Sequence, residues 1–205
     1  MSTILFFLDK IVVNIYYRFL NFYHKKQLKY FKVKHGKIKF IGRAIINIHK
    51  TASVSIGDNF NCLSGNRACV SSSNPTKIVV WKDAKLIIGE NCGFSATAIA
   101  CKSEIIIGNN VKIGSGSILH DSDHHSLNPE SRKNTILDRK NTNHSKLKIE
   151  NNVFIGANCT ILKGVTVGDS AVIGANSVVT KDIGPSEIWA GNPARFIKKL
   201  NKIDK

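Results

Sequence analysis

The sequence predicts an all-β solenoid: a parallel β-helix preceded by an amphipathic helix, interrupted by an extruded loop and closed by a short C-terminal helix. Two observations carry this prediction. From Ile149 the chain reads IENNVF, IGANCT, ILKGVT, VGDSAV, IGANSV and VTKDIG, six successive hexads that each open on Ile or Val. One long polar stretch, from His120 to Lys146, breaks the rhythm. An aliphatic residue at every sixth position fits neither the period of about 3.6 residues of a helix nor plain two-residue alternation. It suits short strands joined by tight corners. The aliphatic anchor points inward, glycine in second position (Gly156, Gly168, Gly174) lets the chain turn, and a small or β-branched fifth residue (Val153, Cys159, Val165, Ala171, Ser177) fills a narrow interior.

Three such sides close a coil of eighteen residues. The same rhythm appears at Ile107, at Ile88 and, more loosely, at Ile56, which gives about six or seven coils over the repetitive span. Ile88 and Ile107 stand nineteen apart, so one residue is inserted between them. The chain therefore divides into a segment 1–34, a repeat domain 35–189 with the extruded loop at 120–147, and a terminal segment 190–205.

In the first segment, ILFFLDKIVVNIYYRFLNFY could pass for a membrane span. Asp9, Lys10 and Arg18 break it into pieces shorter than the roughly 20 apolar residues that a span needs. Leu5, Leu8, Val12, Ile15, Phe19 and Phe22 recur at three- and four-residue spacing, which places them on one face of a helix. Nine of the sixteen aromatic residues lie before position 32, and residues 1–44 hold ten basic residues against one acid. Such a segment suits an anionic membrane surface, or packing on its own domain or across a subunit contact. In the last segment Phe196, Ile197, Leu200 and Ile203 share one helical face, which predicts the closing helix.

The 205 residues carry 30 Lys and Arg against 14 Asp and Glu, a net charge of +16, so the protein works beside something anionic. The sequence contains no recognised nucleic-acid-binding module, and no nucleic-acid partner is expected. Cys62, Cys69, Cys92, Cys101 and Cys159 are an odd, scattered set without a C-x-x-C pair, which points to thiols in a reducing, cytoplasmic compartment.

The interruption opens with LHDSDHHSLN, which packs three histidines and two aspartates into ten residues. A long polar stretch inside a solenoid must be extruded, and loops on rigid scaffolds carry function. Counted with His144, the histidines could be read as a zinc site. Three of the four crowd one loop instead of standing at separated positions on the prism, so no metal is expected.

The hexads and the DSDHHSL loop closely resemble the hexapeptide-repeat acyltransferases, in the branch that acetylates hydroxyls of sugars and polysaccharides, over roughly 41–200. The resemblance implies a left-handed helix, a homotrimer, acetyl-CoA in the grooves between prisms and a saccharide acceptor that is part of a surface polysaccharide. The basic, aromatic composition of the first segment, and not the resemblance, points to peripheral contact of a cytoplasmic protein at the inner membrane face.

The resemblance also implies His125 as general base, since a neutral imidazole can take a hydroxyl proton as the oxygen attacks a thioester. Asp123 is the candidate to orient the ring or contact the acceptor, with Asp121, His124 and Ser95 beside the acceptor; Ser95 stands where relatives carry asparagine. For the cofactor the resemblance implies Phe154 where many relatives have tryptophan, Ala157 and Ala175 along the pantetheine arm, and Thr180, Lys181, Arg195 and Lys198 near the phosphates.

Overall fold

The computed structural model describes residues 2–65 and 74–200, with side chains from residue 10 onward. Cys69 and Ile203 lie outside the described residues. Short parallel strands stack into three sheets that form the faces of a left-handed prism of six coils among the described residues. Corresponding strands pair in register from coil to coil: Leu86 with Ile105, and Lys148 with Thr166. Ile88 pairs directly with Ile107, so the extra residue between them is absorbed within the coil.

The anchors Ile149, Ile155, Ile161, Val167, Ile173 and Val179 are all buried, as are the fifth-position residues Val153, Cys159, Val165, Ala171 and Ser177. Near the base the interior holds a column of rings, with Phe40 to Phe60 centroids 6.2 Å apart and Phe60 to Phe94 5.1 Å.

The corners divide their labour differently from the sequence reading. The left-handed backbone falls on the fourth residue of most hexads: Asn59, Asn91, Asn110, Asn152, Asn158, Ser170 and Asn176 have φ of 56–60°. Asparagine tolerates this conformation through its short polar side chain. The second-position glycine serves close stacking instead. A Cβ on Gly114 would sit 2.5 Å from the Ala157 backbone nitrogen, and one on Gly156 2.6 Å from that of Ala175.

Helix α1 (Ser2–Tyr30) covers the base of the prism. It docks through Leu20, His24 and Leu28, all buried. The Asn21 side chain accepts from the Phe40 N–H at 2.9 Å, and Gln27 donates to the Ile46 carbonyl at 3.0 Å. His24 Nε2 accepts the Ala44 N–H at 3.0 Å, and burial holds this histidine below its ordinary pKa, in the neutral form. The face that carries Val12, Ile15, Phe19 and Phe22 stays exposed, so it is not the face that packs on the chain's own domain.

Two expectations are corrected. The terminal segment is not helical. Strand Glu187–Ala190 extends one sheet, the chain reverses through a turn with a cis Asn192–Pro193 bond, and Arg195–Lys199 returns antiparallel. The last coil would otherwise leave an unpaired strand edge, and covering that edge outweighs a weak helical pattern. The rhythm also breaks a second time: strands Phe60–Leu63 and Lys77–Val80 are separated by more residues than one corner needs, and residues 66–73 of that interval lie outside the described residues.

The long loop spans the predicted interval, between strands Ile118–His120 and Leu147–Ile149. It is not irregular throughout: it holds two short helices, α2 (Pro129–Arg132) and α3 (Thr135–Lys140). Asn128 and Asn134 cap them by accepting backbone N–H groups of Glu130, Ile136 and Leu137.

Candidate active site

The loop closes at its neck before it opens into a site. Asp121 carbonyl accepts from Ser145 N–H at 2.9 Å, Ser122 bridges His144, and Asp123 N–H donates to Asn143 carbonyl at 3.1 Å. These bonds fix the outgoing and returning arms, so helix α3 lies against DSDHHSL.

On α3, Asp138 turns its carboxylate to His125: Oδ2 lies 2.7 Å from Nδ1, while Oδ1 accepts the Ser126 N–H at 2.7 Å. The His125 hydrogen bond, and after it the Ser126 N–H, hold the Asp138 carboxyl below its usual range. A carboxyl whose folded pKa is depressed favours the fold above its ordinary value near 3.8, and that contribution is lost as pH falls through the lowered value. An ionised carboxylate at Nδ1 selects the Nδ1–H tautomer and leaves Nε2 with a free lone pair. Asp138 is nearly covered, whereas 72% of the His125 side chain is exposed. His125 lines a cleft of about 710 Å³ together with Trp81, His124 and His144.

The aspartates of the motif do other work. Asp121 is fully buried, and its two oxygens accept the backbone N–H groups of Lys102 and Ser103, each at 2.7 Å. It ties the loop exit to the coil below and has no oxygen open to an acceptor, which corrects the expected substrate contact. The Cys101 thiol also faces it, and burial together with this carboxylate pushes that thiol up to about 12. Asp123 does not orient His125. Its Oδ1 lies 3.4 Å from Lys163 Nζ, and Asp138 takes the position at the ring.

His124, in the left-handed conformation at φ 64°, lies between two rings, with centroids 6.0 Å from Trp81 and 5.5 Å from His120. Burial, and then the charge of Lys102, lower its pKa and favour the neutral ring. Ser95 ends strand Gly93–Ser95, half-buried and outside the lining of this cleft.

Asp138 is the site residue that sequence reading missed. It stands thirteen residues from His125, and only the helical turn of α3 brings it back. The available signal was Asn134, a helix-capping residue inside an apparently irregular stretch.

The residues proposed for the cofactor occupy the upper prism. Phe154 is half exposed on its sheet, and Ala157 and Ala175 sit one coil apart on the same corner, Asn176 N–H donating to the Ala157 carbonyl at 2.9 Å. Thr180 and Lys181 follow strand Val178–Val179, and Arg195 and Lys198 lie on the final strand, all four exposed.

Sequence comparisons agree with this architecture. The family described as the hexapeptide repeat of succinyl-transferase matches residues 146–181. A galactoside O-acetyltransferase of Escherichia coli K12 is 42% identical over 101 residues, 49% of this chain and 47% of that protein. A putative lipopolysaccharide biosynthesis O-acetyl transferase, WbbJ, from the same organism is 36% identical over 50% of this chain and 54% of its own length. The chain thus spans about half the length of these curated relatives. Among solved structures, a maltose O-acetyltransferase from Clostridium difficile 630 superposes with a TM-score of 0.51 at 34% identity, over 57% of this chain and 60% of that one. An N-acyltransferase, AntD of Bacillus cereus, reaches a TM-score of 0.65 over 87% of this chain and 90% of its own at 20% identity, a likeness of fold alone. With its three-faced prism and its six-residue period, the chain carries the hexapeptide repeat over residues 146–181 and is similar to sugar O-acetyltransferases over about half of its length.

Proposed function

We propose that the protein transfers an acetyl group from acetyl-CoA to a hydroxyl of a saccharide, in the assembly of a surface polysaccharide, with His125 as general base. The observation that carries this reading is the 2.7 Å contact of His125 with Asp138, which leaves the Nε2 lone pair free on a ring that lines the cleft. In the reaction Nε2 takes the acceptor hydroxyl proton while the oxygen attacks the thioester carbonyl. The tetrahedral adduct then collapses, the C–S bond breaks, and the imidazolium returns its proton to the departing thiolate. Asp138 keeps the ring in the required tautomer and stabilises its transient positive charge.

Acetyl-CoA is assigned to the upper prism. Small residues at Ala157 and Ala175 allow close approach of the pantetheine arm, Phe154 packs on it, and Thr180, Lys181, Arg195 and Lys198 offer donors to its phosphates. These residues lie on an open surface of one chain, which supports a groove completed by a second prism in a homotrimer. Thiol release from acetyl-CoA, measured against a panel of saccharides, tests the reading: a saccharide-dependent rate is expected, and none with any sugar would remove it.

We further place the exposed face of α1 on an anionic membrane surface at the cytoplasmic side. No helix among the described residues is long and apolar enough to cross a membrane. Val12, Ile15, Phe19 and Phe22 are each 60–63% exposed, and Arg18, Lys25, Lys26 and Lys29 lie on the same helix. Apolar bulk beside cations matches an interfacial helix. Replacing Ile15 and Phe19 by serine should weaken partition into phosphatidylglycerol-containing vesicles by about tenfold or more. Equal partition of the parent and variant, or a trimer that dissociates in the variant, would assign this face elsewhere.

A further inference from the structure

The cleft beside His125 is cationic in a way that the transfer chemistry does not require. Trp81 and Lys102 occupy equivalent corners of successive coils, since Val80 pairs with Cys101 and the Trp81 N–H donates to the Cys101 carbonyl at 2.9 Å. The Lys102 ammonium stands 5.4 Å from the centre of the Trp81 ring. Its corner is pinned from the coil above by the buried Asp121 carboxylate, which accepts the Lys102 N–H at 2.7 Å. Arg139, one residue after Asp138 on α3, lines the same cleft, as does Lys82.

The cleft contains one acid, Asp138, and both its oxygens are engaged by His125 and Ser126. Among the described residues neither Lys102 nor Arg139 pairs with a carboxylate, whereas Lys82 stands 4.0 Å from Asp83. Two cations without a carboxylate partner, beside an aromatic ring, make a site that attracts an anionic group. The basic residues assigned to acetyl-CoA belong to the last coil and the final hairpin, outside this lining.

We propose that the acceptor is an anionic saccharide, carrying a carboxylate or a phosphate ester, whose charge is received by Lys102 and Arg139 while its ring lies against Trp81. This rests on the acetyltransferase reading of the cleft and adds to it the class of substrate. Charge-assisted contacts of this kind discriminate against a neutral analogue by about tenfold or more.

The test is calorimetric binding to the full chain of three ligands: a uronic-acid disaccharide, the neutral disaccharide of the same linkage, and a hexose 1-phosphate. At least one anionic ligand is expected to bind about tenfold tighter than the neutral one, and which of them does so separates carboxylate from phosphate ester. Added salt should erase the difference. Lys102→Gln should bring the anionic ligand down to the neutral affinity, and Lys102→Arg should keep the preference. Equal or absent binding of the anionic ligands overturns the proposal, and so does a Lys102→Gln variant that loses affinity for acetyl-CoA instead. Thiol release in the same samples reports separately on transfer. A charge preference in binding without turnover keeps the anionic site and removes the acetyltransferase reading; turnover on saccharides without a charge preference does the reverse.

Discussion

His125→Ala should lower saccharide-dependent thiol release by about 10²–10⁴-fold, the usual contribution of a positioned general base. The loss should appear in kcat, because the imidazole acts on the proton as it moves and contributes little to holding the ground state. Asp138→Asn keeps the shape of the side chain but loses the charge that selects the Nδ1–H tautomer and steadies the imidazolium. We expect it to lose about tenfold to a hundredfold while the fold is retained, with acetyl-CoA affinity unchanged. Asp123→Asn separates the two carboxylates: its contact is with Lys163, 3.4 Å away, so it should not reproduce the Asp138 loss. Steady-state kinetics of the three variants, beside their thermal unfolding, make the check.

Phe60→Ala should be the most damaging of the core truncations, at about 3–5 kcal/mol. The ring is fully buried, edge-on to both Phe40 and Phe94. Its strand pairs with the strands that carry both neighbours, so removing it empties the centre of a stack that few side chains can move to fill. In a solenoid each coil touches only its neighbours, and the base would therefore loosen before the hexad region. Chemical denaturation should show a lower midpoint for the variant. Hydrogen exchange should locate the added opening around 38–63 while protection at 149–179 is kept; uniform loss across all coils would contradict the nearest-neighbour picture.

The prism was legible because its determinants are local and repeated. Each buried anchor from Ile149 to Val179 stands six residues from the next, and small fifth residues report the narrow interior directly. The second break in the rhythm, between Leu63 and Lys77, is not legible in the sequence because the earlier hexads are degenerate, with phenylalanine and cysteine facing inward where later coils have isoleucine. The terminal strand was misread because its spacing is compatible with a helix, while its actual partner, the edge strand Glu187–Ala190, is a tertiary fact.

The site was legible only in part for a similar reason. The histidine motif announces itself as a departure from rhythm, but Asp121 and Asp123 gain their roles from neighbours that are distant in sequence: the Lys102–Ser103 backbone and Lys163. Asp138 reaches His125 through a capped turn of helix inside a polar stretch, and no periodicity marks it.

The central claim is that His125 and Asp138 act as one unit. A double-mutant cycle on kcat with His125→Ala and Asp138→Asn tests it most directly. If the pair is a unit, Asp138→Asn costs about tenfold or more in the parent protein and nothing further once His125 is gone. Equal losses in both backgrounds would show that Asp138 acts independently of the imidazole, and the base would have to be sought elsewhere in the cleft.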